Sequence, residues 1–130
     1  MAALTQEPKA PSLEGWDIAR VGEFDGIRWI PWGPGGKARA KILARADGYH
    51  IALVEGQPGY RTEPHVHEYA EFLYVISGTM HNQGVPMSTG DVFAASAGSV
   101  HSDFVADTAV TYLSIFKLPP GAELPGGEKA

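Results

Sequence analysis

The sequence predicts an all-β domain, a barrel or sandwich of short strands, and three observations predict it. Glycine and proline are frequent, 16 and 10 among 130 residues. No stretch keeps the apolar period of a long helix. β-prone runs recur at a spacing of roughly 8–12 residues with turn residues between them.

The elements follow in order. Residues 1–14 mix Pro, Lys, Glu and Ala without periodicity and are expected to form a flexible arm. Ile27 to Trp32 is a short β-prone run, ended by Pro31 and the glycines at 33–36. Ala38 to Ala46 follows, and Asp47-Gly48 then reads as a tight hairpin turn. Tyr49 to Glu55 is the next strand, closed by Gly56, Pro58 and Gly59. Tyr69 to Ser77 is the most apolar strand and stops at Gly78. Thr79 to Gln83 returns, Gly90-Asp91 precedes Val92 to Ala95, and Phe104-Val105 and Thr108 to Leu118 complete the set. Residues 119–130 are again rich in Pro and Gly and are expected to be a flexible tail, which leaves 15–118 as one domain. Val75 with Ile76, and Ile115 with Phe116, put apolar side chains on both faces of their strands. That pattern fits a closed sheet whose outside is also covered, and a homodimer is the expected cover.

Composition narrows the partners. The net charge is −5, so a nucleic acid is not expected, because phosphate binding needs a basic surface. Lys37, Arg39 and Lys41 alternate and would share one strand face. A solvated, charge-guarded edge is the ordinary reading of that stripe, and an anionic ligand site the sharper one. The chain has no cysteine, so any metal site must be built from nitrogen and oxygen. The first 15 residues lack the apolar core of a signal peptide, and no run approaches the ~20 apolar residues of a membrane helix. The expected location is the cytoplasm, with no membrane partner.

His65 and His67 lie two apart, so on a strand both imidazoles point to one face. Glu71 keeps the same parity four residues on, and would join them if the strand continues through a slight bend. His101 follows Gly98 at the start of a later strand, which antiparallel pairing could lay beside the first. Three imidazoles and a carboxylate around one ion leave coordination positions open, the mark of a catalytic rather than a structural metal site.

The residues around these four carry a family resemblance. Gly59, His65, His67, Glu71 and Gly78 stand at the spacing of the first cupin motif, with every fixed position matched. Gly90, Gly98 and His101 resemble the second motif. Ser96 stands where proline is usual and Val105 where asparagine often follows, and neither is a ligand position. The resemblance implies a small single-domain cupin, a jelly-roll β-barrel, holding one divalent transition metal ion with His65, His67, Glu71 and His101. Iron(II) is favoured, with manganese, zinc, nickel or cobalt as alternatives.

From the W-x-P-W segment at Trp29 to Trp32 onward, the chain looks like small cupins related to diketone- and aryl-ketone-cleaving dioxygenases. It is also similar to the cupin domain of zinc-binding anti-sigma factors. The function implied is a non-haem Fe(II) dioxygenase of a small keto/enol or aromatic substrate, with Glu71 able to act as a base. The alternatives are a redox-neutral Zn or Mn isomerase, lyase or decarboxylase, and a non-enzymatic sensing module. Among the remaining polar residues, His81 and His50 read as hydrogen-bonded or solvent-facing more readily than as pocket acids. Arg61 reads equally as a surface ion pair or a clamp for a substrate carboxylate. Trp29, Trp32 and Phe116 read as core, and Tyr60 and Tyr74 as either core or pocket.

Overall fold

The hairpin at Asp47-Gly48 organises the largest sheet. Both turn residues have positive φ, 54° and 81°, the backbone of a tight turn that matches strand twist. The flanking strands are β2 (Ala38–Ala46) and β3 (Tyr49–Gly56), paired antiparallel with a bulge between Ile42 and Ala44. The computed structural model describes residues 10–125. Residues 1–9 and 126–130, which belong to the expected arm and tail, lie outside the described residues.

The remaining strands are β1 (Ile30–Pro31), β4 (His65–Val66), β5 (Glu71–Ser77), β6 (Thr79–Asn82), β7 (Val85–Ser88), β8 (Val92–Ala95), β9 (Val100–His101), β10 (Phe104–Ala106) and β11 (Val110–Lys117). All pairings are antiparallel. They build a six-stranded sheet in the order β1-β2-β3-β11-β5-β8, a three-stranded sheet β10-β6-β7, and the short pair β4-β9. Alternate residues of β3, β5 and β11 turn inward, so Ala52, Val54, Leu73, Val75 and Tyr112 meet Met80, Met87 and Phe104 of the smaller sheet in one core.

Two strand expectations change. Only Ile30–Pro31 of the 27–32 run is paired, because Trp29 serves as a platform under Arg39, 4.0 Å from guanidinium to ring centroid. The strand β7 went unread because it contains Pro86. Proline lacks an N–H, and β7 lies at a sheet edge where that donor is not needed. The β6–β7 turn is Gln83-Gly84, again with positive φ at both residues.

The basic stripe is not simply solvated. Arg39 pairs with Glu55 at 2.8 Å, and Lys41 is buried, its ammonium donating to the Phe24 carbonyl at 2.7 Å. The N-terminal segment thus covers β2 on the outside of the large sheet. At the other end, Leu124 is 3% exposed and packs into the core cluster, six residues past the boundary drawn from composition. Gly78, at the β5–β6 corner, has φ 89°, and a Cβ there would lie 2.1 Å from the Ala109 carbonyl oxygen. Only glycine allows the two chains to pass so closely.

Candidate metal centre

The site is built where three sheets meet. In the β4–β9 pair, His65 and His101 are direct cross-strand partners. Pairing laid down between residues distant in sequence thus places two imidazoles side by side. The strand does not continue through to Glu71. The chain leaves β4 at Val66 and crosses to the large sheet, where Glu71 opens β5 opposite Ala95 of β8. His67 sits in the crossing, held by its N–H to the Ser99 carbonyl at 2.9 Å and by its own carbonyl, which accepts from Gly98 at 2.7 Å.

The four side chains converge. One donor atom from each of His65, His67, Glu71 and His101 lies within 4.8 Å of the others. The three imidazole rings form a near-equilateral triangle, with centroids 5.0, 5.1 and 5.2 Å apart. His67 and His101 are buried, Glu71 is half-buried and His65 is exposed.

Hydrogen bonds orient each donor. The Nδ1 of His65 lies 2.8 Å from the Glu63 carbonyl, which can only accept, so Nδ1 carries the proton and Nε2 is bare. The Ser99 hydroxyl donates to the Ser96 carbonyl at 2.7 Å and so accepts from His67 Nδ1 at 3.0 Å. The bare Nε2 of His67 then faces Glu71 Oε1 at 2.9 Å. Two lone-pair atoms so close repel unless a cation lies between them. Two ligands of one ion at ~2.1 Å and right angles are about 3 Å apart, the same spacing. Glu71 Oε2 accepts from the Ser114 hydroxyl at 2.9 Å. His101 places Nε2 2.6 Å from Asn82 Oδ1, while its buried Nδ1 has no hydrogen-bond partner among the described residues. An orphaned buried nitrogen costs free energy unless something binds it. Burial pushes the pKa of His101 below its ordinary value; Glu71 offsets this in part, and His65 and His67 add to the depression. The ring is therefore kept neutral, the form in which it can coordinate.

The cluster opens into a cavity of about 630 Å³. Trp32, Tyr60, Phe104, Tyr112 and Phe116 wall it, and the C-terminal residues Glu123, Leu124 and Pro125 line one side. Burial raises the pKa of both the Tyr60 and the Tyr112 phenol, so they stay protonated donors. Among the described residues, Lys117 is the one cationic side chain on the lining.

The other expected residues fall elsewhere. Arg61 is bridged through its backbone to Val105 and does not line the cavity. His81 is hydrogen-bonded to Asp107 at the surface. His50 is buried and stacked on Phe116, with centroids 5.3 Å apart. Tyr74 points out of the barrel and is 47% exposed. Ser99, Ser114, Asn82 and Tyr112 were not singled out from the sequence; polar residues on otherwise apolar inward strands are the signal that marks Ser114.

The model of the ChrR cupin-like domain matches residues 19–125. The chain belongs to the ChrR cupin-like family. This cupin is similar in structure to a putative acetylacetone dioxygenase from Methylibium petroleiphilum, with a TM-score of 0.69 and 18% identity over 97% of this chain and 90% of that one. It is also similar to an acetylacetone dioxygenase from Acinetobacter johnsonii, with a TM-score of 0.64 and 14% identity over 95% and 87% of the two chains. A third similar structure is that of Rhodobacter sphaeroides SigE in complex with the anti-sigma ChrR, with a TM-score of 0.64 and 21% identity over 89% and 72%. A sequence search of curated proteins finds no match. At these identities the structures share the fold. No helix among the described residues is long and apolar enough to cross a membrane.

Proposed function

We propose that this cupin is a mononuclear metal-dependent enzyme, a non-haem iron(II) dioxygenase acting on a small, neutral keto/enol or aromatic compound. The observation that carries the reading is the convergence of three imidazoles and a carboxylate at an aromatic-walled cavity. The donor set of three imidazoles and one carboxylate and the likeness to acetylacetone dioxygenases support it. His65, His67, His101 and Glu71 would hold the ion. Bound there, iron(II) supplies Lewis acidity and the one-electron chemistry that couples an enolate to oxygen.

The remaining work belongs to the chain. Trp32, Phe104 and Phe116 bury the apolar body of the substrate and exclude water. Tyr60 and Tyr112 offer protonated hydroxyls to a substrate oxygen. Ser114 holds Oε2 of Glu71 in place, and on leaving the ion Oε1 would be free to accept the acidic proton of a keto form. With Arg61 outside the cavity, a carboxylate substrate would meet only Lys117, which favours neutral compounds.

The test is metal analysis of anaerobically purified protein, then oxygen-electrode assays with β-diketones, aryl ketones and catechols. Stoichiometric oxygen consumption with one of these is expected. Turnover of the same compounds without oxygen would replace this reading with a redox-neutral Zn or Mn lyase or isomerase. The anti-sigma complex among the similar structures supports a second reading, a metal-holding module that binds a protein partner. Tight metal binding with no turnover of any tested compound would favour it.

A further inference from the structure

We propose that Asn82 is a positioning residue that makes His101 bind the ion through Nδ1, whereas His65 and His67 bind through Nε2. The inference rests on the metal-centre reading of this site and deepens it.

A neutral imidazole carries its proton on one nitrogen and a lone pair on the other. At His65 and His67 an acceptor beside Nδ1 takes the proton side, the Glu63 carbonyl at 2.8 Å and the Ser99 hydroxyl at 3.0 Å. At His101 the order is reversed. Its Nε2 lies 2.6 Å from Asn82 Oδ1, an oxygen that can only accept. The proton therefore sits on Nε2 and the lone pair on Nδ1. His101 is 5% exposed, and Nδ1 has no hydrogen-bond partner among the described residues. A cation satisfies a lone pair held there. With the amide turned over, Asn82 Nδ2 would donate to Nε2 and force the proton onto Nδ1. A buried N–H without an acceptor would result, which is the costlier arrangement.

The chain holds Asn82 in place for this task. It is the last residue of β6, opposite Phe104 of β10. Gln83 follows with φ 51°, an uncommon conformation for a residue with a side chain. From that turn Gln83 Oε1 accepts from the backbone N–H of Ser102 at 2.7 Å and of Asp103 at 2.8 Å. Its own N–H donates to the Asp103 carbonyl at 2.7 Å. The β6–β7 turn thus grips the two residues after His101, and those three bonds offset the strain at Gln83. Asn82 lines a separate cleft of about 340 Å³ that reaches His67 and His101. It is not on the lining of the main cavity, so it acts through His101 and not on the substrate.

The choice of an amide matters to the chemistry. A carboxylate behind a ligating imidazole would raise the basicity of that ligand and add negative charge. The neutral amide fixes the ring without doing either. Glu71 is the one anionic member of the four, so a divalent centre keeps a net positive charge, which favours the enolate of a keto/enol substrate.

The experiment is proton NMR of the full chain loaded with cobalt(II), whose unpaired electrons shift and broaden ring protons of its ligands. An imidazole bound through Nε2 has both ring C–H groups next to the ligating nitrogen, and both signals broaden severely. One bound through Nδ1 keeps its Cδ2–H further from the ion, and that signal stays sharp. Histidine labelled with carbon-13 at Cδ2 identifies it. The wild type should show one sharp, shifted Cδ2–H signal. Asn82→Asp, which keeps an acceptor oxygen, should retain it and bind cobalt at least as tightly. Asn82→Ala should lose it and bind cobalt about 10–100-fold more weakly in competition with a chelator. Cobalt uptake without a sharp Cδ2–H signal in the wild type overturns the proposal and leaves the metal reading standing. A signal that persists in Asn82→Ala also overturns it, since a purely structural asparagine would change only the unfolding temperature. A wild type that takes up no cobalt overturns both.

Discussion

Ser99→Ala tests how the metal centre is held without touching a ligand. The Ser99 hydroxyl accepts from His67 Nδ1 at 3.0 Å and donates to the Ser96 carbonyl at 2.7 Å. Those two bonds fix the tautomer that leaves His67 Nε2 bare, and brace the loop before His101. Alanine removes both, each worth about 1 kcal/mol net, and leaves a buried N–H without an acceptor. Removing the partner of a ligating histidine typically weakens metal binding 10–100-fold, and two such bonds place the expected loss near ~30-fold, or about 2 kcal/mol. The assay is competition against a chromophoric chelator, with circular dichroism to confirm the fold. Ser99→Thr, which keeps the hydroxyl, should retain most of the affinity. An unchanged affinity in Ser99→Ala would refute the tautomer argument.

Two further outcomes follow from burial. His50 is 1% exposed and neither ring nitrogen has a hydrogen-bond partner among the described residues, so His50→Leu should raise stability by ~1 kcal/mol in urea unfolding. Burial, then the nearby positive charge of Arg45, lowers the pKa of His50. The unfolded chain therefore binds the proton more readily, and wild-type stability should fall as pH drops through about 6.5 toward the lower folded value. His50→Leu should show a shallower acid-side slope, and equal slopes would contradict the assignment. Leu124→Ala should cost ~2–3 kcal/mol, because Leu124 fills the core beside the cavity. It should also speed metal release to a chelator; a change under ~0.5 kcal/mol would mean that the segment is not anchored there.

Much of the fold was legible because its cues are local. Asp47-Gly48 announced its turn and, with it, β2, whose ARAKILARA run is helix-like by composition, while β3 and β5 declared themselves by β-branched and aromatic runs between glycines. The β6–β7 hairpin was not legible, since Gln83 is not a customary turn former and Pro86 argues against a strand. The four candidate ligands were legible from spacing, although the expected bent strand is in fact a crossing between two sheets. Their supports were not. Ser99 reaches His67 across 32 residues and Ser114 reaches Glu71 across 43. Such partners are set by strand order, which no local pattern encodes. Leu124 escaped for a similar reason: its Pro- and Gly-rich neighbours resemble a tail, and only the tertiary fold shows the hole it fills.

Equilibrium dialysis of wild type and His101→Ala against iron(II) or manganese(II) under anaerobic conditions tests the centre most directly. One ion per wild-type chain, and at least ~100-fold weaker binding in the folded variant, is the predicted result. Equal occupancy in both proteins, or none in either, would contradict it.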